Sequence, residues 1–199
     1  MYKKTPINAA WHSDKPTLFV VSCFERGFIK CSDSVIDIGC GFGRNANWLS
    51  SKNADVTAVN IDNDELAEAK QKSEKLRFRP HFILGNFLEL DFNERRFDTA
   101  LDLGCSHMLS KTDQLLFEKQ VAKIIKPGGL LVYFGFSKKH PAYDNSKPRA
   151  IYRDIEDIQS IYGDDFVVIY QNECRWKPTP EENSNFSEHI GLNVIMRRS

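Results

Sequence analysis

Neither sign of charge is in excess. Lys plus Arg and Asp plus Glu each number 27 in the 199 residues, and no basic run is longer than a few residues. A nucleic-acid surface is built from such an excess, so its absence argues against that partner and for a small or neutral one. No apolar stretch approaches the roughly 18 residues that cross a bilayer, and the opening "MYKKTPINAAWHSDKP" lacks the apolar core of a signal peptide. A cytoplasmic protein with no membrane partner is expected. Cysteine is sparse and odd in number, at Cys23, Cys31, Cys40, Cys105 and Cys174, with no CxxC pair. Neither a disulfide framework nor a zinc cluster is indicated, and no metal is expected. Internal repeats and low-complexity tracts are missing too. The length suits one core rather than two, so residues 1–199 read as a single domain, monomeric or weakly homodimeric.

What is present is an alternation of strand and helix signals. "TLFVVSCFERGFI" reads as a helix before the first strand, Ser34 to Ile38, which runs into glycines. "RNANWLSSK" then places Ala46, Trp48 and Leu49 on a helical turn, "DVTAVN" is a second strand, and "DNDELAEAKQKSEKL" is a helix whose Asp62 and Glu65 have capping-box spacing. "HFILG" and "FDTALDLG" read as strands three and four. Phe117, Val121, Ile124 and Ile125 then recur at helical spacing, "KPGG" ends that helix, and "LLVYFGF" is strand five. "FVVIY" and "LNVIM", with no helix between them, should pair as an antiparallel hairpin at the sheet edge. The long connections "SKKHPAYDNSKPRA" and "NECRWKPTPEENSNFSEHIG" read as lids or binding loops. The fold class expected is α/β, Rossmann-like and doubly wound, with a mostly parallel seven-stranded sheet and an antiparallel terminal strand.

The chemistry concentrates at "VIDIGCGFGRN". Gly39, Gly41 and Gly43 stand at the carboxyl end of strand one, where glycine permits a sharp turn and close approach of a ligand. The pattern is GxGxG rather than GxGxxG. Asp37, two residues earlier, is a poor neighbour for a pyrophosphate and a good one for an ammonium.

"VIDIGCGFGRNANWLSSKNADVTAVNID", "FILGNFLELDF", "RFDTALDLGCSHML" and "KPGGLLVYFGF" together resemble the successive motifs of class I S-adenosylmethionine-dependent methyltransferases. The likeness runs from Ser13 to Arg197. "GRN", "WHSDKPTLFVVSCFERGFI" and "LDLGCSHML" are similar to the small thiopurine-type and tellurite-resistance-type members. The resemblance implies S-adenosylmethionine as cofactor, a lid and helix over residues 1–33, a cofactor-binding core over 34–136, and substrate loops with the terminal hairpin over 137–199.

The same resemblance implies roles. Gly39, Gly41 and Gly43 would line the methionine part of the cofactor, with Asp37 near its amino group. Arg44 would reach the carboxylate or be a solvated charge. Asn60 falls where the family has an acid on the ribose hydroxyls, and an amide there forfeits the charge-assisted part of that bond. Asn60→Asp is therefore expected to tighten binding. Asn86 falls where an acid often faces the adenine amino group, with Phe87 beside the ring; the plainer alternative is a turn asparagine followed by a core phenylalanine. Trp11, Ile61 and Leu103 complete the implied cofactor set.

For catalysis His107, just past strand four, is the candidate base or substrate contact, and Asp102 either orients a neighbour or caps the turn. Cys105 reads as a packing residue. His12, Tyr143, Arg149, Tyr152 and Trp176 are candidate lid residues. Methyl transfer to a small-molecule acceptor, a thiol or other soft nucleophile, is the favoured activity. An NADP-dependent oxidoreductase is the alternative that a missing acid at Asn60 raises. A non-catalytic binding protein of the same fold is the other.

Overall fold

The computed structural model describes residues 12–93, 96–144, 152–178 and 185–199. Strands β1 (Ser34–Ile38), β2 (Asp55–Asn60), β3 (His81–Leu84) and β4 (Phe97–Leu103) alternate with α2 (Arg44–Ser51) and α3 (Asn63–Ser73), after a first helix α1 (Leu18–Glu25). Then come α4 (Lys111–Ile124), β5 (Ile125–Ser137), β6 (Tyr152–Arg153), α5 (Ile155–Tyr162), β7 (Phe166–Trp176) and β8 (His189–Arg198). The sheet order is β3-β2-β1-β4-β5-β8-β7, with the two-residue β6 added beside β5. β1 to β6 pair in parallel, and β8 runs antiparallel to both neighbours.

The strands are near-continuously apolar because both faces are covered. Alternate residues enter opposite layers. Ile36, Ile38, Ala100, Leu131 and Tyr133 pack with Phe117, Val121, Ile158 and Tyr162 of α4 and α5. Val35, Val56, Leu101, Leu130 and Val132 pack with Val20, Leu49 and Leu66 of α1 to α3.

Three expectations need correction. α4 ends at Ile124, and "KPGG" belongs to β5 rather than to a turn. Ile125 pairs with Phe97, and the register then jumps so that Thr99 faces Leu130, a bulge that Gly128 permits with φ +78. The polar stretch after "FVVIY" is not a loop at first: the ladder continues from Asn172↔Asn193 to Trp176↔His189. No residue from Gln171 to Trp176 is fully buried, so the ribbon keeps polar side chains that mimic a loop. Finally α5 had no forecast. Asp154 caps it and Asp157 completes the capping box, the aspartate standing where glutamate is usual. Ile158 and Tyr162, one helical turn apart, are its buried face.

Candidate active site at the β1–β4 switch point

Strand order reverses between β1 and β4, whose ends lie side by side with Ile38 opposite Asp102. Open α/β sheets hold ligands in the crevice at such a reversal. After β1 the chain turns through Gly39, Gly41 and Gly43 at φ +71, +53 and +76, the left-handed region that other residues avoid. A Cβ on Gly39 would meet Cys105 at 2.8 Å, and one on Gly43 would meet Ala69 at 2.7 Å. Those two are bare because protein packs on them. Gly41 differs: the nearest atom to its Cβ position is Glu65 Oε2 at 3.8 Å, a carboxylate rather than packed carbon.

Asp37, near the end of β1, is 2% exposed, and its Oδ2 has no partner among the described residues. Burial raises its carboxyl from 3.8 to about 7, against the downward pull of Arg44 and the Ala46 N–H. Burial correspondingly lowers Arg44, and Asp37 partly restores it. An unpaired buried carboxylate oxygen is costly unless a donor reaches it, and its chemistry suits a cation or ammonium.

At the end of β2, Asn60 is buried and donates Nδ2 to Glu65 Oε2 at 2.8 Å and to the Asp62 carbonyl at 3.4 Å. Asp62 caps α3, its Oδ1 accepting from the N–H groups of Asp64 and Glu65. Ile61 beside them stays half exposed. Asn86 caps a single 3-10 turn, Phe87–Glu89: Oδ1 accepts from the Leu88 N–H at 3.2 Å, and Nδ2 donates to Glu89 at 2.8 Å. The Phe87 ring is buried with centroids 5.0 Å from Phe117 and 5.7 Å from Phe92. Turn and core are thus the arrangement found at 86 and 87.

Asp102, fully buried at β4, caps the following turn, Oδ1 accepting from the N–H groups of Cys105 at 3.1 Å and Ser106 at 3.0 Å. Leu103, the last residue of β4, lies opposite Phe134. His107 sits in the next 3-10 turn, 7% exposed, with Nδ1 unpartnered among the described residues. Burial and then Arg153 bring its imidazole down to about 4, so it is neutral at physiological pH. Burial pushes the Cys105 thiol well up, with Asp102 and Asp37 adding to it, which leaves an inert group packed on Gly39.

Two groups of rings flank these residues. His12 stacks on Phe42 of the glycine turn, centroids 3.8 Å apart, and bonds Glu68 at 2.8 Å, while Lys72 joins Glu68 and Asp14. The segment before α1 therefore lies on the turn; Trp11 and Arg149 fall outside the described residues. On the other side His107 faces Phe136 at 5.5 Å, and Phe136 stacks on Trp176 at 6.0 Å. Tyr143 and Tyr152 are 5.8 Å apart in the same group. His140 accepts the Ala142 N–H at Nδ1, so its Nε2 carries the proton toward His189 Nδ1, 2.7 Å away. Sequence reasoning missed Phe136, His140, His189 and Glu65. Phe136 ends the strand expected from the sequence, His140 lies in the turn after β5 and His189 opens β8 before its expected start, so only the fold brings the three together, and Glu65 was absorbed into the capping-box reading.

Sheet order, glycine turn and antiparallel last strand define the class I S-adenosylmethionine-dependent methyltransferase fold. Residues 35–129 match the family model described as a methyltransferase domain. It is 30% identical over 111 residues to the methyltransferase GfsG of Streptomyces halstedii, covering 54% of this chain and 39% of the relative. The chain thus spans less than half the length of that curated relative. Among solved structures it superposes on a chain from work on conversion of a disulfide bond into a thioacetal group during echinomycin biosynthesis. That match has a TM-score of 0.80 and 19% identity, over 95% of this chain and 84% of the other. It also superposes on TehB from Haemophilus influenzae, with a TM-score of 0.75 and 19% identity, over 92% of this chain and 62% of TehB.

Proposed function

We propose that the protein transfers a methyl group from S-adenosylmethionine to a small-molecule acceptor, a thiol or related soft nucleophile. The observation that carries this reading is Asp37: a buried carboxylate with an unpartnered oxygen under a glycine turn suits the cofactor's ammonium and repels a pyrophosphate. Gly41 leaves the turn bare for the methionine end, while Gly39 and Gly43 let Cys105 and Ala69 pack against it. Arg44 supplies a cation near Asp37 that suits a carboxylate. Ile61 offers exposed apolar surface at the end of β2.

When bound, S-adenosylmethionine supplies an electrophilic methyl carbon. The chain's own task is to position the acceptor, exclude water and take up a proton. His107 is neutral and can accept at Nδ1, but with its imidazole near 4 it is a weak base. That favours an acceptor that ionises near neutrality by itself, as thiols do. The aromatic wall of Phe136 and Trp176 excludes water from the same side. The solved chain associated with thioacetal formation concerns sulfur chemistry, which agrees with this choice. The NADP-dependent alternative is disfavoured by the Glu65 carboxylate beside Asn60, since a 2′-phosphate there would meet an anion.

A screen of small thiols and phenols read by homocysteine release tests the activity. In it, His107→Ala is expected to lower kcat by about a hundredfold, the low end of the range for one acid–base group because its base is weak, with cofactor affinity within about twofold of wild type. Equal kcat on every accepted substrate would remove His107 from the mechanism. A wild-type profile with a His-like inflection between pH 6 and 7 at that residue contradicts its low value.

A further inference from the structure

Asn60 leaves the end of β2 without an acid, yet the space in front of it is not without one. Glu65, from the first turn of α3, is 5% exposed, whereas acids in the first turn of a surface helix ordinarily stand in solvent. Its Oε2 is held at 2.8 Å by Asn60 Nδ2 and lies 3.8 Å from where a side chain on Gly41 would begin. The carboxylate therefore stands between the end of β2 and the bare face of the glycine turn. Its position in the first turn of α3 offsets part of the cost of burying it, because the helix N-terminus favours negative charge. Asn60 is the partner that aims it: the amide uses its N–H groups on Glu65 and on the Asp62 carbonyl.

We propose that Glu65 is the acid that holds the ribose hydroxyls of the cofactor, with Asn60 as its positioning residue, so that the anion has moved from the strand to the neighbouring helix. This rests on S-adenosylmethionine being the cofactor. It also reverses the expectation for Asn60→Asp. The new carboxylate would stand where the amide now donates, 2.8 Å from Oε2, and like charges at that distance repel. Asn60→Asp alone therefore weakens cofactor binding, and the paired exchange Asn60→Asp with Glu65→Gln restores it by returning the acid to the strand.

The test is calorimetric titration of the full chain with S-adenosylhomocysteine and with its 2′-deoxyribose analogue. Wild type should bind S-adenosylhomocysteine and lose about tenfold or more, one charge-assisted bond, on the deoxy analogue. Glu65→Gln should lose a similar factor on S-adenosylhomocysteine and discriminate little between the two ligands. The proposal is overturned if Glu65→Gln binds S-adenosylhomocysteine within about twofold of wild type, or if it keeps the full preference for the 2′-hydroxyl. Should Glu65→Gln not fold, the paired exchange decides: binding within about threefold of wild type supports the proposal, and a folded protein that stays weak overturns it. Wild type failing to bind S-adenosylhomocysteine would instead sink the functional reading, a different result from any of these.

Discussion

Asp37→Asn is expected to weaken S-adenosylhomocysteine binding by at least about a hundredfold, the scale of a lost desolvated charge pair, and to raise the thermal midpoint of the ligand-free protein at pH 8. Both effects come from one buried oxygen. In the folded chain the Asp37 carboxyl is raised from 3.8 to about 7 by burial, so between those values the folded state holds a proton that the unfolded chain has released. Stability attributable to Asp37 therefore falls as pH rises through that window, and the cost is fully present above about 7. An asparagine carries no such cost, while it cannot neutralise an ammonium. Binding should likewise weaken below pH 7 in wild type, where the carboxyl takes a proton. A variant with unchanged affinity, or one destabilised at pH 8 yet normal at pH 5, contradicts the assignment. The pattern is that of a functional group kept at the expense of stability.

The second large effect lies beneath the site. Arg153, 4% exposed, donates Nη2 to Gln114 Oε1 at 2.5 Å, lies 3.7 Å from Glu118, and sits over the Tyr133 ring at 5.9 Å. It is the cation that acts on both buried acids nearby, Asp102 and Glu118. Burial pushes Glu118 up to about 7 even with Arg153 pulling it down. Arg153→Met should cost about 3–5 kcal/mol, the usual penalty for leaving buried charge uncompensated. The deficit should shrink as pH falls from 8 to 5, because Glu118 can then take a proton and the missing cation matters less. Adding Glu118→Gln to Arg153→Met should recover part of the loss at pH 8. Equal destabilisation at both pH values would mean that Arg153 acts through packing alone. Burial first and Arg153 second lower His107, so the network also adds to the neutrality of the candidate base.

The order of strands and helices through β5 was legible because each strand is apolar on both faces and each connection is punctuated. Asp62 announced α3, and the glycines after Ile38 announced the crevice. Legibility failed where local signals were overridden. Gly128 and Gly129 look like a stop, yet a bulge lets β5 pass through them. "NECRW" looks like a loop because none of its residues is fully buried, so nothing there demands apolar side chains. Site residues followed the same division. Asp37 and the glycines could be placed from sequence because a turn after a buried strand fixes where they point. Glu65 could not, because capping-box spacing gave it a sufficient local reason and only the folded chain sets its carboxylate beside Asn60. His140 and His189, 49 residues apart, carry no shared signal at all.

The central claim is that the β1–β4 crevice takes S-adenosylmethionine rather than a phosphate-bearing nucleotide. Calorimetric titration of the full chain at pH 8 with S-adenosylhomocysteine and, separately, with NADPH tests it most directly. The account predicts saturable binding of one S-adenosylhomocysteine per chain and no heat with NADPH. Saturable binding of NADPH, or none of S-adenosylhomocysteine at millimolar concentration, would contradict it.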